Sequence, residues 1–248
     1  MTSRRLPSPN NPSAKSPAKS FGGYGCRAWA INAAVAGVIL AMAFAWPGKG
    51  AAVAEPIRLL AFGDSLTAGY GLAPADAFPA QLQRALQAKG LTVEVINGGV
   101  SGDTTAGGRN RLAWTLGSGD AAQPAAAIVE LGGNDALRGL DPEAAQANLD
   151  AILAELQRRR VPVLLAGMYA PPNLGADYTR RFKAIYPRLA EKYGVRLYPF
   201  FLDGVAGVPG MTQPDGIHPT AAGVTEIVRR ITPDVVELLR IAAAKGVK

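Results

Sequence analysis

The sequence predicts an α/β protein, a three-layer α/β/α sandwich around a mostly parallel sheet. Three observations predict it. Beyond residue 55, short apolar runs alternate with stretches of helical periodicity. Those runs are nearly continuous instead of alternating with polar residues, which is how strands buried on both faces read. No internal repeat and no long linker divides residues 55–248, so one sheet has to take every strand.

In order, Ile57 to Phe62 reads as the first strand. A helix from Asp76 to Lys89 follows, with Asp76 as its expected N-cap and Phe78, Leu82 and Leu86 on one face. Leu91 to Ile96 is the second strand, followed by a glycine-rich turn and a short helix over Arg109–Leu116. Ala126 to Leu131 is the third strand. Asp141-Pro142-Glu143 then opens a helix in the favoured N-cap and first-turn pattern, and Leu149, Ile152, Leu153 and Leu156 recur at helical spacing. Arg158-Arg159-Arg160 falls in its last turn, where the macrodipole favours cations, so this run reads as a solvated helix end. Val163 to Met168 is the fourth strand, Phe182, Ile185, Leu189 and Tyr193 mark another helix, and Val195 to Tyr198 is a short strand. Helices over Pro219–Ile231 and Asp234–Ala244 close the chain, with Pro233 breaking or kinking the pair.

The first 54 residues are different in kind. Residues 1–27 are rich in Ser, Pro, Lys and Arg and read as disordered. Ala28 to Trp46 carries no charge, and Ala52-Val53-Ala54 supplies a small-x-small exit just before Glu55. This pattern predicts a secretory signal; an apolar stretch of near-spanning length leaves a retained anchor open. Either way residues 55–248 form the folded domain and are expected outside the cytoplasm. The leader also explains the charge of +7. It holds Arg4, Arg5, Lys15, Lys19, Arg27 and Lys49 and no acidic residue, so 20 of the 26 basic residues face all 19 acidic ones in the remainder. A domain near +1 has no phosphate-tracking surface, and no nucleic-acid partner is expected. The single cysteine, Cys26, precedes the apolar stretch, which excludes a disulfide within the domain. One histidine and no cysteine cluster make a metal site unexpected.

Four polar, glycine-flanked segments carry the chemistry. Gly63-Asp64-Ser65-Leu66 follows the first strand, Asn97 to Asp103 the second and Gly132-Gly133-Asn134-Asp135 the third. Asp215-Gly216-Ile217-His218-Pro219 precedes the last helical stretch. Ligands in such sheets bind beyond the carboxyl ends of the strands, so these segments are expected at one edge. Acyl transfer needs a nucleophile, a base, a group that orients the base, and donors for the oxyanion. His218 is the chain's sole imidazole and the only available base of its kind. Ser65 is the expected nucleophile, and Asp215 lies close enough to accept an imidazole N–H. The amides of Ser65 and Gly102 and the side chain of Asn134 are the expected oxyanion donors. Each segment alone also reads as an ordinary turn or helix cap. Their conjunction in this order is what points to catalysis.

That conjunction resembles the SGNH (GDSL) hydrolase superfamily, whose four blocks match at Ser65, Gly102, Asn134 and His218, with Asp215 in the Asp-x-x-His position. Longer phrases, Phe62 to Tyr70, Gly102-Asp103-Thr104-Thr105 and Val129 to Asp135, resemble the arylesterase/thioesterase I/lysophospholipase branch, whose members are largely periplasmic. The resemblance implies a flavodoxin-like α/β/α hydrolase fold and no metal or organic cofactor. It implies ester, thioester or lysophospholipid substrates; membrane contact is expected, from the apolar stretch, only through the leader if it is uncleaved. It also implies substrate contacts from Asp135, Ala136 and Leu137 and from Pro171 and Pro172. The Gly-x-Ser-x-Gly elbow of α/β-hydrolases is absent. Two other readings stay open at this point: a carbohydrate O-deacetylase on the same fold, and a non-catalytic tethered binding module.

Overall fold

A computed structural model describes residues 55–117 and 123–244. The leader readings over residues 1–54 lie outside the described residues. Within them, no helix is long and apolar enough to cross a membrane.

Five parallel strands form one sheet: β1 (Ile57–Gly63), β2 (Val93–Gly99), β3 (Ala126–Glu130), β4 (Val163–Ala166) and β5 (Arg196–Tyr198). Their order is β2-β1-β3-β4-β5. β1 and β3 are central, and Leu59 to Phe62 and Ala126 to Val129 are all fully buried, as their unbroken apolar sequence requires. β2, at an edge, alternates buried and exposed positions instead. The chain leaves β1 for β2 on one side and returns to β3 on the other. The carboxyl ends of β1 and β3 therefore flank the switch point where a crevice opens.

The helices are α1 (Ser65–Ala68), α2 (Phe78–Gln87), α3 (Thr105–Leu116), α4 (Gly133–Leu137), α5 (Pro142–Arg158), α6 (Ala176–Tyr193) and α7 (Ala221–Ala244). α2 packs on α7, while α3 packs on α5 and α5 on α6, giving the two helical layers of the sandwich. Asp141 caps α5 as expected, accepting from Glu143 N–H. Arg158 and Arg159 turn back to Glu155, which makes their run a helix end.

Several strand ends shift by one to three residues from the sequence reading, and three differences among the helices have a local reason. Asp76 is not an N-cap. It closes a 3₁₀ turn over Pro74–Asp76, giving its N–H to the Ala73 carbonyl, and α2 starts at Phe78 after the uncapped Ala77. α3 begins at Thr105, four residues before the expected Arg109, because Thr104 caps it by accepting from Gly107 N–H at 3.2 Å. The glycines that read as a turn lie inside this helix. A β-carbon on Gly108 would strike Leu131, so the glycine permits close helix–sheet contact. The two closing helices are one. α7 runs through Pro233, and Ile231, Thr232, Val235 and Leu238 on its buried face outweigh the cost of about 3 kcal/mol for an interior proline.

Candidate active site

The expected residues meet at the carboxyl edge of the sheet. Ser65 is the first residue of α1, directly beyond β1. Asp64 caps this short helix, its Oδ1 accepting from Leu66 N–H at 3.0 Å. The close approach of α1 to β2 needs Gly99, whose β-carbon would collide with the backbone of Ala68. Ser65 keeps only 9% of its surface in solvent.

His218 reaches Ser65 from 153 residues along the chain. Its Nε2 lies 2.9 Å from Ser65 Oγ, and its Nδ1 lies 2.6 Å from Asp215 Oδ2. The segment that delivers it is pinned at both ends. Thr212 bridges Pro219, Gln213 N–H donates to the His218 carbonyl at 2.7 Å, and Gly216 turns the chain at φ +71°. Asp215 and His218 do not cap α7; the Thr220 hydroxyl does, accepting from Gly223 N–H at 3.2 Å. Asp215 Oδ1 accepts from the amides of Ile217 and His218 at 2.9 and 3.0 Å. The His218 ring bond first, and then these amides, hold the Asp215 carboxyl down at about 2. With Nδ1–H given to this carboxylate, Nε2 faces Ser65 with its lone pair.

Gly102 adopts φ +85°, and among the described residues, its chain neighbours aside, only Arg138 comes within 4 Å of where its β-carbon would stand. Conformation, more than protein crowding, thus selects glycine at this turn. Among the described residues, the N–H groups of Ser65 and Gly102 have no partner and stay available. Asn134 is differently placed. Its Nδ2 donates both to Asp64 Oδ2 at 3.1 Å and to the Asp103 carbonyl at 3.0 Å, so both amide protons are engaged.

A cavity of about 410 Å³ opens beside Ser65 and His218. Leu137, Pro171 and Pro172 line it, as do Leu66, Met168, Tyr169, Phe200 and Ile217. Tyr169 and Phe200 stack at 4.3 Å between centroids. Asp135 and Ala136 are not on this wall. Asp135 is buried, its carboxylate accepting the Thr105 hydroxyl at 2.6 Å and the Thr105 N–H at 2.8 Å, so it anchors α3 to α4. Ala136 is buried in the core. On a helical turn the side chains at 135 and 136 face inward while Leu137, half exposed, faces the cavity.

Several site residues escaped the sequence reading. The Tyr70 ring lies 4.5 Å from that of His218, yet is itself exposed. Glu130, at the end of β3, lies fully buried behind Ser65. Its Oε2 accepts from the Thr67 hydroxyl at 2.7 Å while Oε1 has no partner among the described residues. Burial, reinforced by Asp64, pushes its carboxyl well above the usual range. Burial likewise raises Asp64 to about 6, partly opposed by its Leu66 and Asn134 bonds.

The raised Asp64 value has a stability consequence. An acid that holds its proton more tightly in the native state than at its unfolded value of about 3.9 favours folding more as pH falls through 6, with the gain complete below about 4. Asp64→Asn removes this titration. Its unfolding free energy relative to the parent is expected to improve from pH 4 to pH 8, as denaturant titrations at the two pH values would read. A difference flat across that range contradicts the assignment.

On fold and site together the class is that of a serine ester hydrolase. Residues 61–225 match the GDSL-like Lipase/Acylhydrolase family, and the chain belongs to it. It is 40% identical to esterase TesA of Pseudomonas aeruginosa over 181 residues, 73% of this chain and 89% of that protein. It is 42% identical to thioesterase 1/protease 1/lysophospholipase L1 of Escherichia coli K12 over 161 residues, 65% and 74% of the two chains. The crystal structure of AlinE4, an SGNH-hydrolase family esterase, superposes with a TM-score of 0.63 at 54% identity, covering 75% of this chain and 97% of that one.

Proposed function

We propose that Ser65 is the acylated nucleophile of a hydrolase for small carboxylic esters and thioesters, with His218 as its base and Asp215 orienting that base. The carrying observation is the chain of contacts from Asp215 through His218 to Ser65, at 2.6 and 2.9 Å, opening on an apolar cavity. Ser65 Oγ attacks the carbonyl carbon while His218 Nε2 takes its proton. The Ser65 and Gly102 amides receive the oxyanion. Asn134 joins them by sharing with the oxyanion an Nδ2–H that it now donates to the Asp103 carbonyl or to Asp64 Oδ2. His218 then protonates the leaving alcohol or thiol, and water repeats the sequence on the acyl-enzyme. The cavity walls of Tyr169, Phe200, Met168 and the two prolines suit an aryl or acyl group, and its volume is that of a small-molecule site. The names of the relatives, an esterase and a thioesterase/lysophospholipase, support this substrate range.

The test is a fluorophosphonate probe with peptide mapping, followed by a panel of aryl acetates, acyl thioesters, lysophospholipids and acetylated sugars. Labelling at Ser65 and the fastest turnover on aryl or acyl esters are expected. Absence of Ser65 labelling in folded, active protein refutes the nucleophile; preference for acetylated sugars replaces the substrate reading with the O-deacetylase. Asn134→Ala tests the third donor. Its kcat is expected to fall by ~10²–10³ with KM little changed, as measured by steady-state kinetics on an aryl acetate. We also propose export, from the basic and apolar character of residues 1–54. N-terminal sequencing of the protein from its host should begin near Glu55 if the leader is a cleaved signal, and near Met1 if it is an anchor.

A further inference from the structure

We propose that Arg111 is a positioning residue for ester hydrolysis, holding the Gly102 turn and Asn134 in register with the end of β1 that presents Ser65. The inference rests on the roles given above to Ser65, Gly102 and Asn134.

Arg111 lies in the second turn of α3 and does not reach the cavity. Its Nε donates to Asp103 Oδ2 at 2.6 Å, a pair whose side chains keep only 18% and 16% of their surface exposed. Its Nη2 donates to the carbonyl of Gly63, two residues before Ser65, at 2.9 Å. The guanidinium lies over the Phe62 ring, with Cζ 4.2 Å from the centroid. One planar cation thus stacks on the last buried side chain of β1 while its edge grips both the strand end and the residue after Gly102.

Asp103 passes the constraint on. Its backbone carbonyl accepts from Asn134 Nδ2 at 3.0 Å, and its N–H donates to the Val100 carbonyl at 3.1 Å across the Gly102 turn. The Gly63 carbonyl gripped by Arg111 also accepts from Val100 N–H at 3.1 Å. The loop from Val100 to Asp103 is therefore tied to β1 twice, once by backbone and once by Arg111. Gly107 makes room for this. A β-carbon there would stand 2.6 Å from Asp103 Oδ1, so a larger residue would displace the carboxylate from Arg111.

A cation serving only to fasten a helix needs one ion pair, which a lysine supplies as well. Here two acceptors on different segments and a ring face are met at once, a geometry that fits the rigid guanidinium fork and not an ammonium. Oxyanion donors must be held to within about 0.5 Å to act, and a misplacement of about 1 Å costs ~10² in rate. The effect of losing Arg111 should consequently fall on the transition state more than on substrate binding.

The experiment compares the full chain with Arg111→Ala, Arg111→Lys and Asp103→Asn on an aryl acetate. Arg111→Ala is expected to lower kcat by ~10–100-fold with KM changed less than about three-fold. Guanidinium at tens of millimolar should restore at least about five-fold of that loss without lowering the thermal midpoint, because the small cation can refill the site between Asp103, Gly63 and Phe62. A kcat within about two-fold of the parent overturns the proposal, as does a loss that guanidinium leaves untouched. If Arg111→Ala does not fold, the lysine and asparagine variants decide. A kcat at least about ten-fold down at constant KM in both supports the role, and parental kcat in both removes it. Fluorophosphonate mapping of the parent separates the two levels: without Ser65 labelling the functional reading fails, whereas a labelled parent with fully active variants sinks the Arg111 role alone.

Discussion

Ser65→Ala is expected to remove turnover of an aryl acetate to background, a loss of about 10⁶ in kcat on the scale of other serine hydrolases. The size of the effect follows from the geometry. Ser65 is the hydroxyl in contact with the sole imidazole, and among the described residues no other hydroxyl bonds that ring beside the Ser65 and Gly102 amides proposed to receive the oxyanion. Removing it leaves those amides and the cavity intact, so substrate should still bind and the slow water reaction should persist. The fold should hardly notice. Ser65 loses one side-chain hydrogen bond, to a histidine whose Nδ1 partner remains, and the net effect of such a bond is about 1 kcal/mol. The measurement is kcat together with the thermal midpoint and probe labelling. A variant with normal midpoint and more than about a hundredth of parental kcat would place the nucleophile elsewhere.

The nucleophile is legible in the sequence because its signals are local. Glycines, an asparagine, a serine and a histidine stand at the ends of apolar runs, and the topology of a parallel sheet carries them to one edge. The strands were legible for the same reason: β1 and β3 are buried on both faces, which forces an unbroken apolar sequence. What stayed hidden depends on contacts across the fold. Gly107 and Gly108 read as a turn, since nothing nearby shows that Asp103 and Leu131 press against them. Asp135 reads as a pocket residue until Thr105, thirty positions earlier, takes both its carboxylate oxygens. Glu130 looks like one polar residue at a strand end, and only the fold shows it buried against Thr67 and Asp64, with its carboxyl pushed up by that burial. Arg111 carries no local mark at all. Its importance comes from Gly63, 48 residues away, and from Phe62 beneath it.

Asp215→Asn separates orientation of the base from its mere presence. The asparagine Oδ1 can keep the two amide bonds from Ile217 and His218 that fix the turn, which leaves its Nδ2 facing the imidazole. An N–H there meets Nδ1 only if Nδ1 carries no proton. The ring must then hold its hydrogen on Nε2, pointed at Ser65, and it can no longer accept the serine proton. The expected loss is ~10⁴ in kcat, close to 5.5 kcal/mol, with the fold intact. The parent carboxyl sits at about 2, below its unfolded value of about 3.9, so it stays charged throughout pH 5–9 and contributes no limb to the activity profile there. Its contribution to stability is complete above about pH 4 and disappears as pH falls through 2. The parent should therefore lose stability more steeply than Asp215→Asn between pH 4 and 2, while the variant's activity stays low at every pH from 5 to 9. A variant retaining more than about a tenth of parental kcat would mean that the turn itself, through the Gln213–His218 and Thr212–Pro219 contacts, aligns the imidazole without a carboxylate.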